Sequence, residues 1–244
     1  MTAADGYRQR IYRRYASVFK ASSAAVDRAA IDRWGSSYDV YLDGWLPESR
    51  DAVIADVACG PGWLLRFFVR RGYRNVCGVD TSAEQVDLAR RHAEKVEAGD
   101  LLAFLRAHPE RFDLLTGFDI VEHFTKDEVL DFLDACHGAL RPGGRLVLQT
   151  PNAESPFGGS VRYGDFTHET CFTPALLGQL LELSGFGAAE CRECRPVVRG
   201  ATSLVRVVLW RALRQLLLLW NLAETGSAGS GVLTRVFLAS ALRR

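Results

Sequence analysis

Little in this sequence pulls it toward a polyanion or a membrane interior. Lys and Arg number 30 against 29 Asp and Glu over 244 residues, a formal charge of +1, so polyanion binding would need a local patch. There is no basic tail, and nucleic acid is not an expected partner. The six cysteines include a single C-x-x-C, Cys191-x-x-Cys194, with no second pair to complete a zinc site. No secretory leader pattern opens the chain, which makes reduced thiols in a cytoplasmic protein the expectation. The longest apolar stretch, Ser203–Glu224, carries Arg206, Arg211 and Arg214, three charges that argue against a transmembrane helix.

What is present is a nucleotide-binding pattern. Val53-Ile-Ala-Asp-Val-Ala-Cys-Gly-Pro-Gly-Trp63 is an apolar run, an acid and a Gly-x-Gly turn leading into a helix former. It reads as a buried parallel strand feeding a ligand loop. Gly60 and Gly62 permit positive φ and close approach, and the helix starting near Trp63 aims its N–H groups at a ligand. Asp80, about 20 residues on, ends the next strand, where ribose hydroxyls are held. A dinucleotide fingerprint needs a third glycine, and that position is Leu65.

At 48% apolar and 24% charged residues, the chain can build one sizeable α/β core. Residues 1–50 read as an N-terminal helical cap, with Tyr7, Ile11, Tyr15 and Phe19 at helical spacing and a second helix over Ala24–Trp34. Tyr12 and Tyr15 either cover the sheet edge or help close the site. From 51 to 244 strands and helices alternate. Strands are expected at Ala52–Val57, Asn75–Val79, Lys95–Ala98, Asp113–Gly117, Arg145–Gln149, near Ala188–Glu193 and at Leu233–Ala239. Helices are expected at Trp63–Arg71, Ala83–Ala93 (capping box Thr81 and Glu84) and Lys126–Ala139, and one is expected to start at Thr173-Pro174. The turn Arg141-Pro-Gly-Gly144 is placed ahead of the fifth strand. Repeated βα units imply a Rossmann-like, doubly wound, mostly parallel seven-stranded sheet with a helical insertion at 203–224 before the last strand.

Asp56-Val-Ala-Cys-Gly-Pro-Gly62, Asp80, Gly99-Asp100, Ala139-Leu-Arg-Pro-Gly-Gly144 and Leu183-x-Gly-Phe186 together resemble the motifs of class I S-adenosylmethionine (SAM) methyltransferases over roughly residues 50–190. The resemblance implies SAM as cofactor, held by Asp56, Ala58, Gly60, Gly62, Asp80, Thr81, Asp100, Leu101 and Phe118.

Past the fourth strand, Phe118-Asp-Ile-Val-Glu-His123 would put Asp119, Glu122 and His123 on one face if a helical turn begins there. Thr150-Pro-Asn152, Tyr163-Gly-Asp-Phe-Thr-His-Glu169 and Phe172-Thr-Pro174 follow, with His168 in a long loop. This run is similar to bacterial surface-polysaccharide and glycan methyltransferases. It also resembles small-RNA 3′-terminal 2′-O-methyltransferases and, in its first part, ubiquinone-pathway O-methyltransferases, whose Glu, Glu and His bind a divalent metal, joined by a later His in the RNA enzymes. Asp119 stands where those families have Glu and is one methylene shorter. Three roles therefore stay open: a Mg²⁺ or Mn²⁺ site of Asp119, Glu122, His123 and His168; metal-free base catalysis by His123 or His168; or a structural role.

The resemblance to the glycan methyltransferases implies O-methylation of a sugar hydroxyl in a glycan or surface-polysaccharide intermediate. The alternatives are an RNA terminus or small metabolite as acceptor, or a non-catalytic SAM-binding regulator. In the insertion, Arg206, Trp210, Arg211 and Arg214 would let one face meet the inner membrane surface or a lipid-linked acceptor, or the helix serves intrachain or homodimer packing.

Overall fold

The computed structural model describes residues 7–12 and 27–244. Tyr15 and Phe19, the side chain of Tyr12 and the first residues of the helix expected from Ala24 lie outside the described residues. The chain runs α1 (Tyr7–Tyr12), α2 (Arg28–Tyr41), β1 (Val53–Val57), α3 (Trp63–Arg70), β2 (Asn75–Asp80), α4 (Ala83–Ala89), β3 (Lys95–Ala98), α5 (Leu101–Ala107) and β4 (Phe112–Phe118). A 3-10 turn (Val121–His123) leads to α6 (Lys126–Ala139), β5 (Leu140–Pro151), α7 (Gly158–Arg162), α8 (Pro174–Leu183), β6 (Phe186–Glu193), α9 (Ala201–Thr225) and β7 (Val236–Arg243).

The seven-stranded sheet has the order β3-β2-β1-β4-β5-β7-β6. The first five strands pair in parallel, while β7 runs antiparallel to both β5 and β6. Strand alternation sends Ile54 to one face, with Leu65 and Phe68 of α3, Val86 of α4 and Tyr38 of α2. Ala55 and Val57 go to the other face, with Leu105 of α5, Phe132 and Leu133 of α6 and Leu177 of α8. Because β1 and β4 are neighbours while the chain winds away from them in opposite directions, their carboxyl ends form the switch point where such sheets bind ligands.

Several boundaries differ from expectation. The second helix is Arg28–Tyr41 rather than Ala24–Trp34, because Tyr38 and Leu42 anchor its far end in the core. Ser82, not Thr81, caps α4 by accepting from the Gln85 amide, so the Thr81–Glu84 box does not form. That helix stops at Ala89, where Arg91 and His92 bond back three residues and tighten the turn. A capping box does close α6, between Thr125 and Glu128. The expected Arg141–Gly144 turn is absorbed into β5 as an irregularity, with Gly143 at φ +76. β7 lies further along than Leu233–Ala239, since pairing with β5 carries it through Ser240 and Ala241.

Candidate active site

At the end of β1 the backbone turns left-handed at Ala58 (φ +57), Gly60 (φ +52) and Gly62 (φ +79). A Cβ on Gly62 would stand 2.7 Å from Ala89 Cα, so this glycine is needed for α3 to pack on α4. A Cβ on Gly60 would meet nothing within 4 Å, which leaves open space above the loop. The missing third glycine has its counterpart in β2. There, a Cβ on Gly78 would come within 2.9 Å of Leu65 Cδ1 and of Cys59 Sγ, so Gly78 makes room for the leucine.

Asp80 fastens this loop. Its carboxylate accepts from the Gly60 amide (2.8 Å) and from the Ser82 amide (2.8 Å), and burial raises its pKa. A carboxylate has about four acceptor positions, so two remain for ribose hydroxyls. Asp56 is placed differently from a strand-end contact. It shares the face of Ile54 in β1, is 3% exposed and accepts from Thr116 Oγ1 at 2.7 Å. Burial pushes its carboxyl up to about 7. Thr81 and Asp100 are exposed, Asp100 capping α5 through the Ala103 amide (2.8 Å), and Leu101 is buried behind it. Phe118 is half-buried against Tyr38, ring centroids 5.4 Å apart. The open cradle at Gly60, the tethered Asp80 and the N-terminus of α3 fit SAM.

On the acceptor side, Asp119 does not join the cluster expected of it. Its φ of +53 turns the chain before the 3-10 turn starts at Val121, so it shares no helical face with Glu122 and His123. Gln149 Nε2 donates to both Asp119 oxygens (3.1 and 3.2 Å), while Tyr38 donates to Gln149 Oε1 (2.7 Å). Glu122, His123 and His168 do converge: one ligand atom from each lies within 4.8 Å of the others. Glu122 is 1% exposed and accepts from Thr150 Oγ1 (3.0 Å), and its carbonyl takes the Glu169 and Thr170 amides (2.8 and 3.1 Å), pinning the His168 loop to the turn.

Hydrogen bonding sets the form of both imidazoles. Thr167 Oγ1 lies 2.6 Å from Asp165 Oδ1, which as a carboxylate only accepts, so the hydroxyl proton goes there. His123 Nδ1, 2.8 Å from the same hydroxyl oxygen, must then be the donor, and in the neutral ring the lone pair is on Nε2. His168 Nδ1 donates to the Val161 carbonyl (3.1 Å), which in the neutral ring again leaves the lone pair on Nε2. The two rings meet edge to face, centroids 4.8 Å apart.

The N-terminal helix covers this corner through Tyr7, which helical spacing had marked, and through Arg8, which it had not. Arg8 forks onto Glu128 (2.7 and 2.8 Å) and donates to the His123 carbonyl (2.9 Å), while Tyr7 donates to Glu169 and packs on Phe166. Arg8 carried no local sequence signal, since its partners lie 115 and 120 residues away. Thr150, Asp165 and Thr167 stood in the motifs already quoted, but only the fold shows what they hold.

Comparison with known proteins defines the class. Residues 54–144 match the family model described as "Methyltransferase domain". The fold matches a SAM-dependent methyltransferase from Archaeoglobus fulgidus (TM-score 0.63, 19% identity, 86% of this chain and 94% of that one). It also matches a possible histamine N-methyltransferase from Thermotoga maritima (TM-score 0.63, 15% identity, 96% and 99%). The chain carries a class I SAM-dependent methyltransferase domain on a Rossmann-like α/β fold. Among curated proteins it is similar to the ubiquinone biosynthesis O-methyltransferase of Bradyrhizobium sp. (strain ORS 278), 38% identical over 104 residues, 40% of this chain and 39% of the relative. It is similar too to that of Actinobacillus pleuropneumoniae serotype 7 (strain AP76), 32% identical over 111 residues, 41% and 45%. The chain thus spans less than half the length of these relatives, which are named for ubiquinone biosynthesis and not for a glycan.

Proposed function

We propose that the protein is a SAM-dependent O-methyltransferase that brings an acceptor hydroxyl to Glu122, His123 and His168. The observation that carries this reading is the convergence of a buried carboxylate and two imidazoles, both donating through Nδ1, just past the carboxyl end of β4. Transfer from a sulfonium needs in-line alignment and removal of the hydroxyl proton. With one ligand atom from each within 4.8 Å of the others, Glu122, His123 and His168 are the residues that would hold a divalent ion. Mg²⁺ or Mn²⁺ there would lower the pKa of the acceptor hydroxyl. The chain's own part is orientation: Thr150 holds Glu122, Thr167 holds His123 and the Val161 carbonyl holds His168.

The acceptor we propose is a sugar hydroxyl of a glycan or surface-polysaccharide intermediate, supported by the likeness of the 118–174 run to enzymes of that kind. One observation favours a second reading, a ubiquinone-pathway acceptor: the curated relatives above carry that name. Labelled methyl transfer from SAM to nucleotide-linked sugars and to hydroxylated quinol precursors separates the two. Chelator should abolish turnover and Mn²⁺ restore it, with Glu122→Gln as damaging as His123→Ala. Undiminished turnover in the His123→Ala, His168→Ala double variant would remove this site from the reaction.

A further inference from the structure

α9 is 25 residues long, about 37 Å at the helical rise. It rests on the protein through one stripe: Val207 is 5% exposed, and Ser203, Trp210, Arg214, Leu217, Leu218 and Asn221 are half-buried. Arg214 is committed to that side, donating to Glu193 Oε2 (3.1 Å) and to the Gly231 carbonyl (2.7 Å). The face expected from the sequence therefore changes, because Trp210 and Arg214 point inward. Outward, Val205, Leu209, Leu216, Leu219 and Trp220 are each 57–64% exposed on the opposite side of the helix.

Charge around this face is one-sided. From Cys194 to Ala223 there is no Asp or Glu and there are five arginines, in a chain whose total charge is only +1. Arg195, Arg199, Arg206 and Arg211 are exposed. At 100° per residue, Arg206 and Arg211 fall on the two borders of the apolar face. Glu224, the helix's one acid, accepts from Trp220 Nε1 at 3.1 Å.

We propose that α9 is an interfacial helix that lies on an anionic phospholipid surface, its leucine face among the acyl chains and its border arginines at the phosphates. Charge complementarity selects this occupant over a second copy of the chain, since two such faces brought together would crowd arginines with no acid on the face to pair them. No described helix is long and apolar enough to cross a membrane, so the contact is parallel to the surface. The segment that returns from α9 is fastened at the carboxyl end of β5, where Asn152 Nδ2 donates to the Val232 and Thr234 carbonyls (2.8 and 2.9 Å) and Ser230 donates to Glu154. The helix is thus tied to the strand end that follows Thr150, the residue holding Glu122. The proposal is independent of the acceptor's identity.

The full chain should float with phosphatidylcholine vesicles containing about one-third phosphatidylglycerol and not with phosphatidylcholine alone, and salt should weaken the binding. Arg206→Gln and Arg211→Gln should each lower partitioning about fivefold, and Leu209→Glu with Leu216→Glu should abolish it. All three variants should keep the parent's melting temperature and SAM affinity, because these side chains are exposed. Absence of flotation with either vesicle, equal flotation with both, or a dimer dissociated by the leucine changes in place of vesicle binding would each overturn the proposal.

Discussion

Replacing Asp56 by Asn isolates a buried charge under the cofactor loop. The side chain is 3% exposed and its carboxyl is pushed from the ordinary 3.8 up to about 7, first by burial, then by nearby Asp80, against the stabilising donation from Thr116. In the window between those values the unfolded chain has released this proton and the folded chain has kept it. Stability therefore falls as pH rises from about 4 to about 7 and levels off above. At about 1.4 kcal/mol for each tenfold change in ionisation, the part of that fall between about pH 5 and about pH 8 is about 3 kcal/mol. Asn keeps an acceptor for the Thr116 hydroxyl and has no charge to bury. Urea unfolding of both proteins from about pH 5 to about pH 8 should show the parent losing about 3 kcal/mol relative to the variant. Parallel pH profiles would refute the assignment, because every other titrating group is common to the two.

Two further outcomes address the site. Asp80→Ala removes the acceptor of the Gly60 and Ser82 amides as well as the ribose anchor, and calorimetry should show SAM affinity weaker by about 2 kcal/mol or more; unchanged affinity would remove the role. Thr167→Val deletes the acceptor of His123 Nδ1–H, so long-range ¹H–¹⁵N spectra should show a mixture of tautomers and turnover should fall about 10–100-fold. An unaltered tautomer would mean that the Asp165–Thr167 relay does not orient the ring.

Short-range chemistry was legible from the residues alone. The Asp56-to-Gly62 turn, Asp80 at the end of β2, strand Lys95–Ala98 and helix Lys126–Ala139 follow from period, caps and glycine, which act within a few residues. Glu122, His123 and His168 were recognisable as chemically furnished positions for the same reason. What tertiary structure decided is which of the neighbours take part. Asp119 sits three residues from Glu122, yet Gln149 from the next strand draws it aside and its positive φ breaks the shared face. The donor nitrogen of His123 is set by a hydroxyl 44 residues away, and the cover over the turn comes from Arg8, 115 residues before. The insertion was apolar in any register, but only docking through Val207 and Arg214 fixed which side faces outward. Periodicity specifies that a helix has faces; the partner that buries one of them arrives through the fold.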